Sequence, residues 1–277
     1  MSAAQRSPGV AALARVRVVL SHPTGPGNIG ASARALKAMG LERLVLVNPR
    51  QFPDSRAMDT AMGAADVLRA ARVCTTLEQA LAGTTLSVAL SARQRDLSPL
   101  VLDAREAAGL AVEEALAGGE VAFVFGTEAS GLSNDEVMRC QRVARITASA
   151  EFSSLNLAAA VQVIAYEVRY AALGAGPVPT ARTPAATHEE LEGLFAHLAM
   201  NLASIDFFDP ENPRRLIERL RRIFGRARLD SQEVNVLRGI LAAWDQALGK
   251  ARERRGPSLD GGAAAGRPRG RRRPPET

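Results

Sequence analysis

Five polar side chains crowd the first half of the segment 146–167, ahead of an apolar run that is typical of a buried helix. They are Ser149, Glu151, Ser153, Ser154 and Asn156. One side-chain oxygen is enough to cap the first turn of a helix, so this cluster exceeds what capping requires. The cluster therefore indicates a ligand pocket at a helix N-terminus, with plain capping as the alternative interpretation.

A second segment with chemical potential is 25–30, GPGNIG, between an expected strand and an expected helix. Its letters match G-x-G-x-x-G, the phosphate-binding loop of dinucleotide enzymes. Such a site needs an acidic residue after the next strand, where this chain has Asn48, so a nicotinamide or flavin site is disfavoured. Asn28 and Arg34 are then the candidates for chemistry, although a helix cap and a solvated charge would also explain them.

Small residues follow two further expected strands. Gly126 and Gly131 come directly after the strand 120–125, and the run 90–92, Leu-Ser-Ala, closes the strand 86–91. Glycine lets a ligand approach the backbone at the carboxyl ends of parallel strands. These strand ends together predict a flat adenine-type pocket lined by backbone.

The elements that must position these residues alternate between strand and helix, which predicts the α/β class and a mostly parallel sheet with helices on both faces. Strands are expected at 15–21, 43–47, 86–91, 120–125 and 142–147. Helices are expected at 31–40, 58–68, 76–82, 103–117, 134–140 and 157–166.

The pattern stops at 174–187, where proline and glycine predict a linker. Beyond it, helices are expected at 188–205, 213–224 and 231–248, with no strands. The chain thus divides into a flexible leader 1–14, a main domain 15–173, the linker 174–187, a small all-helical C-terminal extension 188–250, and a disordered basic tail 251–277.

Composition narrows the functional classes. Of the 277 residues 47% are hydrophobic, but no apolar run is long enough for a transmembrane helix, and no signal peptide is expected. Cys74, Cys140 and three scattered histidines predict no metal site and a reducing, cytoplasmic location. The net charge is +6, and most of it lies in the arginine-rich tail, which points only weakly to a polyanionic partner.

Three stretches of the chain resemble the motifs of the SpoU (TrmH-type) branch of the SPOUT RNA 2′-O-ribose methyltransferases. In order they are GNIGASARALKAMG, FVFGTEASGLSNDE and ITASAEFSSLNLAAAVQVIAYEVR. The later stretch PRRLIERLRRIFGRARLDSQEVNVLRGIL resembles the C-terminal extension of the TrmJ subfamily, which methylates nucleotide 32 of the tRNA anticodon loop. The resemblance implies a trefoil knot in the sheet domain, a homodimer, S-adenosylmethionine as cofactor and tRNA as partner.

Residue by residue, the resemblance implies two sets of site residues. The implied cofactor contacts are Leu90, Ser91, Ala92, Gly126, Ile146, Ser153, Ser154 and Leu155. The implied catalytic positions are Asn28, Arg34, Glu128, Ser154 and Asn156. One departure is Thr127, where relatives often carry arginine in a G-R-E triplet, and this departure leaves the substrate preference open.

Methyl transfer from a sulfonium needs no metal, but the ribose hydroxyl must lose its proton. The motifs contain no histidine, and proposals for the family make Arg34 the base, aided by an RNA phosphate. A guanidinium stays protonated in proteins, so we expect Arg34 to stabilise the developing alkoxide as a cation. Glu128 is expected to orient Arg34 or another polar group.

Seven arginines and a single glutamate occupy the segment 214–228, which predicts contact with phosphates rather than a solvated helix face. The RNA-binding candidates are Arg214, Arg215, Arg219, Arg221, Arg222, Arg226 and Arg228. The alternative functions are methylation of ribosomal RNA or of the tRNA wobble nucleotide, and a methylation-inactive RNA-binding protein.

Overall fold

The structure is a computed structural model that describes residues 8–93, 95, 98–149, 151, 154–174 and 184–255, the last six by their backbone alone. The first seven residues of the predicted leader, most of the predicted linker and the tail beyond residue 255 lie outside the described residues. Within the described ranges, no helix has the length and hydropathy that crossing a bilayer requires.

Seven strands in the described part of the chain form one sheet, and every neighbouring pair is parallel. They are β1 (Val16–Ser21), β2 (Arg43–Val47), β3 (Arg72–Cys74), β4 (Leu86–Leu90), β5 (Leu100–Asp103), β6 (Val121–Phe125) and β7 (Arg142–Arg145), in the order β3-β2-β1-β6-β4-β7-β5. The five predicted strands are confirmed. The two edge strands β3 and β5 were missed because they are short and mostly exposed. Since all strands run in one direction, their carboxyl ends share one edge of the sheet.

The helices of the described residues alternate with these strands and then continue alone. They are α1 (Pro8–Ala12), α2 (Pro26–Ala38), α3 (Ser55–Ala61), α4 (Ala65–Arg69), α5 (Leu77–Leu81), α6 (Ala104–Leu116), α7 (Asn134–Met138), α8 (Leu157–Gly174), α9 (His188–Ser204), α10 (Leu216–Ala227) and α11 (Ser231–Arg255). The single helix predicted at 58–68 is wrong. Met62 and Gly63 both adopt positive φ, 32° and 79°, which ends α3 before α4 begins.

Helix α2 begins at Pro26, five residues earlier than predicted, so all of the glycine-rich segment 25–30 except Gly25 is helix rather than loop. Proline suits the first helical position because the N–H it lacks would have no partner within the helix. Gly30 lies where α2 crosses α3, and a Cβ there would come within 2.1 Å of the Ala57 carbonyl oxygen. This glycine therefore serves helix packing, in agreement with the rejection of a dinucleotide loop.

The apolar residues of each strand alternate between two helical layers. Leu20 and Phe123 belong to the larger cluster, which also includes buried residues of α2, α6 and α8. Val19 and Val124 belong to the opposite cluster, beneath α5 and α7. Helices thus cover both faces of the parallel sheet, as the sequence predicts. The trefoil knot that the resemblance implies stays a prediction.

Residues 8–14 correct the predicted flexible leader. They form α1 and part of a 3₁₀ turn, Leu13–Arg15, and Leu13 is fully buried. Gly9 lies directly against the backbone of Ala172 in α8, where a Cβ would overlap the carbonyl oxygen. This part of the leader is a packed element of the sheet domain.

The C-terminal extension consists of α9, α10 and α11 around a small core of Ala186, Leu194, Val234 and Leu241. The three predicted helices are confirmed, but α11 continues to Arg255, so the predicted disordered tail begins too early. Ala186, which falls in the predicted linker, is fully buried and donates its N–H to the carbonyl oxygen of Leu229 at 2.7 Å.

The extension is fastened to the amino ends of β4 and β7 by contacts that we call the docking seam. Arg228 forms an ion pair with Glu114 of α6, whose side chain is only 2% exposed. Arg142, the first residue of β7, donates to the carbonyl oxygen of Gly225 at 2.6 Å. The seam lies at the edge of the sheet opposite to the carboxyl ends of the strands.

Replacing Arg228 should reveal how strongly the seam stabilises the fold. Arg228→Ala should lower the free energy of unfolding by roughly 2–4 kcal/mol, because it leaves the Glu114 carboxylate buried without its cation. The control is Arg226→Ala, which removes an exposed arginine of the same helix and should cost less than about 0.5 kcal/mol. Urea denaturation measures both values, and equal losses would show that the seam contributes no specific stability.

Candidate active site

A cavity of about 330 Å³ opens at the carboxyl edge of the sheet, just beyond β4, β6 and β7. Its lining includes seven of the eight residues expected to contact a cofactor, namely Leu90, Ser91, Ala92, Gly126, Ile146, Ser154 and Leu155. The eighth, Ser153, lies outside the described residues. The predicted pocket at this edge therefore exists as a cavity, and the start of α8 forms one of its walls.

One side of the cavity is formed by a tight turn between Thr127 and Gly131. The Gly131 N–H donates to the Thr127 carbonyl oxygen at 2.9 Å, and the Ser130 N–H donates to Thr127 Oγ1 at 3.1 Å. A Cβ on Gly126 would lie 2.1 Å from the carbonyl carbon of Gly131. The close approach of Gly131 is therefore enough by itself to require glycine at position 126. Thr127 stabilises this turn.

Three of the expected catalytic residues form a continuous chain of hydrogen bonds. Asn156 donates from Nδ2 to Asn28 Oδ1 at 3.0 Å, and Asn28 donates from Nδ2 to Glu128 Oε1 at 3.0 Å. We call this the Asn156–Asn28–Glu128 chain. It connects the start of α8, the start of α2 and the loop after β6, three segments that are far apart in the sequence. Because Glu128 and Ser154 line the cavity, the chain lies at its wall.

Glu128 also holds the N-terminus of α2 in place. Its carboxylate accepts the backbone N–H groups of Thr24 at 3.0 Å and Gly25 at 2.9 Å, and the Thr24 hydroxyl at 2.8 Å. Gly25 has no side chain with which to cap α2, so a carboxylate from a distant loop performs that role. Partial burial would raise the pKa of Glu128, but these hydrogen bonds and that from Asn28 outweigh it and lower the pKa to about 2. Glu128 is therefore an ionised acceptor at neutral pH.

Asn156 combines the two roles that the sequence left open. Its Oδ1 accepts the N–H of Ala158 at 2.9 Å, which caps α8, while its Nδ2 donates to Asn28. Ser154 and Leu155 precede it as exposed residues at the cavity wall. The polar cluster is thus partly a helix cap and partly the lining of the cavity.

Arg34 is not brought to this chain. It is exposed on α2, and its guanidinium lies 3.3 Å from the sulfur of Met62. Six positions separate it from Asn28, so the two side chains project from different sides of the helix. Glu128 was expected to orient Arg34 or another polar group, and the structure shows the second alternative, because Glu128 binds Thr24, Gly25 and Asn28.

The seven arginines of 214–228 divide into two groups. Arg228 belongs to the docking seam, and Arg221 pairs with Glu192 at 2.7 Å and lies over the ring of Phe195. The other five are exposed and have no ion-pair partner among the described residues. Three of these follow one face of α10 at spacings of three and four, Arg219, Arg222 and Arg226, and Arg215 lies just before the helix begins. We call these four residues the arginine stripe.

Sequence reasoning missed the arginines beside the cavity. Arg93 and Arg95 both line it, and Arg95 donates to Asn134 Oδ1 at 2.8 Å, to the carbonyl oxygen of Leu132 at 2.9 Å and to Ser91 Oγ. The signal available was a pair of cations directly after the strand-end run 90–92. Among the described residues, no group of three or more His, Cys, Asp or Glu could hold a metal ion.

The low pKa of Glu128 predicts a specific pH dependence. Since its pKa falls on folding from an ordinary value of 4.5 to about 2, its contribution to stability is complete above about pH 4.5 and is lost as the pH falls toward 2. Glu128→Gln should therefore be less stable than wild type at pH 7, and the difference should shrink between about pH 4.5 and pH 2.

Chemical denaturation across this pH range measures the difference. Glu151→Gln is the control, because Glu151 is an exposed carboxylate with no side-chain hydrogen bond among the described residues, and it should change stability by less than about 0.5 kcal/mol at pH 7. A Glu128→Gln difference that stays constant with pH would contradict the assigned bonds.

Comparison with known proteins shows which families the sequence of this chain resembles. Residues 15–166 match the model of the SpoU rRNA methylase family, and residues 189–255 match that of the C-terminal domain of the tRNA methyltransferase TrmJ. The chain is 50% identical, over 83% of its length and 93% of the relative's, to the tRNA (cytidine/uridine/adenosine-2′-O-)-methyltransferase TrmJ of Pseudomonas aeruginosa. It is 47% identical to the tRNA (cytidine/uridine-2′-O-)-methyltransferase TrmJ of Salmonella typhimurium, over 84% of this chain and 98% of that one.

Solved structures agree in fold. The crystal structure of TrmJ from Z. mobilis ZM4 superposes with a TM-score of 0.73 at 33% identity, over 83% of this chain and 98% of that chain. A putative methylase family protein from Neisseria gonorrhoeae superposes with a TM-score of 0.62 at 36% identity, over 68% of this chain and 95% of that chain. Each of these two structures matches a larger share of this chain than the sheet domain alone occupies.

Proposed function

The chain belongs to the SpoU methylase family and carries the C-terminal domain of its TrmJ members, and from this premise we propose that it transfers a methyl group from S-adenosylmethionine to the 2′-hydroxyl of a tRNA ribose. The observation that carries the proposal is the Asn156–Asn28–Glu128 chain at the wall of the cavity. It joins residues from all three sequence motifs at one place.

The cavity fits the proposed cofactor. Leu90, Phe125 and Leu157 give it apolar walls for an adenine ring, while the turn 127–131 and the serines Ser91 and Ser154 offer polar groups. S-adenosylmethionine bound here would supply a methyl group on a sulfonium. The sulfonium departs as a neutral thioether, so the transfer needs no metal. The role of this chain's residues is then to position the ribose and to exclude water.

Glu128 is unsuited to remove the proton from the ribose hydroxyl. A carboxylate with a pKa of about 2 is a weak base, and its oxygens already accept hydrogen bonds from Thr24, Gly25 and Asn28. Its proposed role is to fix the Asn28 amide, which in turn meets Asn156 at the cavity wall. Glu128 is thus a positioning residue for this reaction.

Arg34 remains the proposed cation for the developing alkoxide, but its own chain holds it away from the cavity. Exposed Met62 lies beside it, and Tyr166, Tyr170 and Leu173 form an exposed apolar face on α8. A homodimer that covers such apolar surface and brings α2 of one protomer toward the cavity of the other would supply this cation. A monomeric mass in analytical ultracentrifugation at micromolar concentration would contradict this arrangement.

The arginine stripe is the proposed contact with the tRNA backbone. Its four arginines are exposed, the three within α10 span about 10 Å of helix, and no acidic partner neutralises them among the described residues. Such contacts give affinity and orientation without reading sequence. Arg221 and Arg228, which were predicted to bind RNA, are instead assigned to structural ion pairs.

Removing one arginine of the stripe should weaken tRNA binding in a salt-dependent way. Arg222→Ala should reduce the slope of log affinity against log salt by about 1, and reduce affinity several-fold near 0.1 M salt. The matched control is Arg69→Ala, which removes an exposed arginine of α4 and should leave the slope unchanged. Filter binding at four salt concentrations measures both. Equal slopes for the two variants would remove the stripe from the interface.

Methyl transfer itself is tested with the full-length chain, labelled S-adenosylmethionine and bulk tRNA, followed by mapping of the modified nucleotide. We expect a 2′-O-methyl group at nucleotide 32 of the anticodon loop, on cytidine or uridine. Label on a base, or label on ribosomal RNA but not on tRNA, would refute the proposed reaction. Label at another ribose of tRNA would refute only the assignment to nucleotide 32.

A further inference from the structure

Three arginines lie close together at one side of the cavity, and none of them forms an ion pair with another of the described residues. Arg93 and Arg95 line it, and Arg145, the last residue of β7, donates to the carbonyl oxygen of Arg93 at 3.2 Å. All the hydrogen bonds that these side chains make within the described residues go to neutral acceptors. We call the three arginines the cationic rim.

The three side chains differ in how many of their N–H donors already have a hydrogen-bond acceptor. Arg95 is held by Ser91, Leu132 and Asn134, so it fixes the shape of the wall. Arg93 is exposed, and its guanidinium makes no hydrogen bond within the described residues. The buried Nε of Arg145 has no hydrogen-bond partner in the described part of the chain. The rim therefore has unused donors as well as unneutralised charge.

Holding these three positive charges close together costs electrostatic free energy in the protein without a ligand. Burial, together with the like charges of Arg93 and Arg145, lowers the pKa of Arg95 below its ordinary value. The proposed cofactor would increase the repulsion, because its ammonium, carboxylate and sulfonium sum to one net positive charge. An anion other than the cofactor is thus the species that the rim would favour.

The proposed substrate brings such an anion to this place. In an RNA chain, the carbon next to the one that bears the 2′-hydroxyl carries a phosphate, so a reacting ribose always has a phosphate beside it. We propose that the cationic rim binds the backbone phosphate adjacent to the methylated ribose, with Arg93 and Arg145 as donors and Arg95 as their support. This inference rests on the proposed function and adds the residues that position its substrate.

The test uses full-length Arg93→Ala and Arg145→Gln, with Arg93→Lys as the conservative variant and Arg69→Ala as the matched control. We expect the KM for tRNA to rise about tenfold in the first two, with kcat changed far less, and the salt slope of tRNA binding to fall by about 1. Arg93→Lys should recover most of the loss. Calorimetric affinity for S-adenosylhomocysteine should stay within about twofold in every variant.

Two results would overturn the assignment. An unchanged KM and salt slope in Arg93→Ala and Arg145→Gln would show that the rim does not meet RNA. A loss of S-adenosylhomocysteine affinity with normal tRNA binding would show that the rim holds the carboxylate of the cofactor instead. Because tRNA binding is measured without turnover, wild-type protein that binds tRNA but never methylates it would refute the proposed function alone, and the salt slopes would still decide the rim.

Discussion

The geometry of the site depends on one set of contacts around Glu128. Its carboxylate accepts hydrogen bonds from the Asn28 side chain and from the backbone N–H groups of Thr24 and Gly25. This carboxylate caps a helix that has only glycine at its N-cap, and it does so from a loop about a hundred residues later. Asn28 passes the connection on to Asn156, which caps α8. These polar contacts therefore link the three segments that surround the cavity, in addition to the apolar packing of α2 against α8.

The two edges of the parallel sheet have separate tasks. The carboxyl edge carries the cavity, with the cationic rim and the Asn156–Asn28–Glu128 chain at its walls. The amino edges of β4 and β7 carry the docking seam, through which Arg228 and Arg142 hold the helical extension. Because the arginine stripe belongs to that extension, contacts with the proposed RNA would be spread over both ends of the sheet. Large polyanions suit such separated contacts, whereas a small ligand would not reach both.

Sequence patterns predicted what depends on local chemistry. The β-branched run 15–21 predicted β1, and the alternation of strand and helix patterns placed β4, β6 and α6 closely. Sequence patterns could not reveal contacts between distant segments, such as the ion pair of Arg228 with Glu114. They therefore predicted RNA contacts for Arg221 and Arg228, which form ion pairs within the protein. The motif resemblance named Asn28, Glu128 and Asn156 together, but only the coordinates show their hydrogen bonds. The structure also places Arg34 beside Met62 and away from these hydrogen bonds, a position that its spacing along α2 could not decide.

The most direct measurement of the central claim is hydrogen exchange in Asn28→Ala, which removes the middle of the Asn156–Asn28–Glu128 chain. If this chain fixes the cavity wall, amides of Gly25 and Ala158 should exchange at least about tenfold faster than in wild type, because local opening there costs less free energy. Amides in the middle of α9, in the helical extension at the opposite edge of the sheet, should be unchanged. Wild-type exchange at Gly25 and Ala158 in this variant would contradict the account, since the segments would then be held by something other than these bonds.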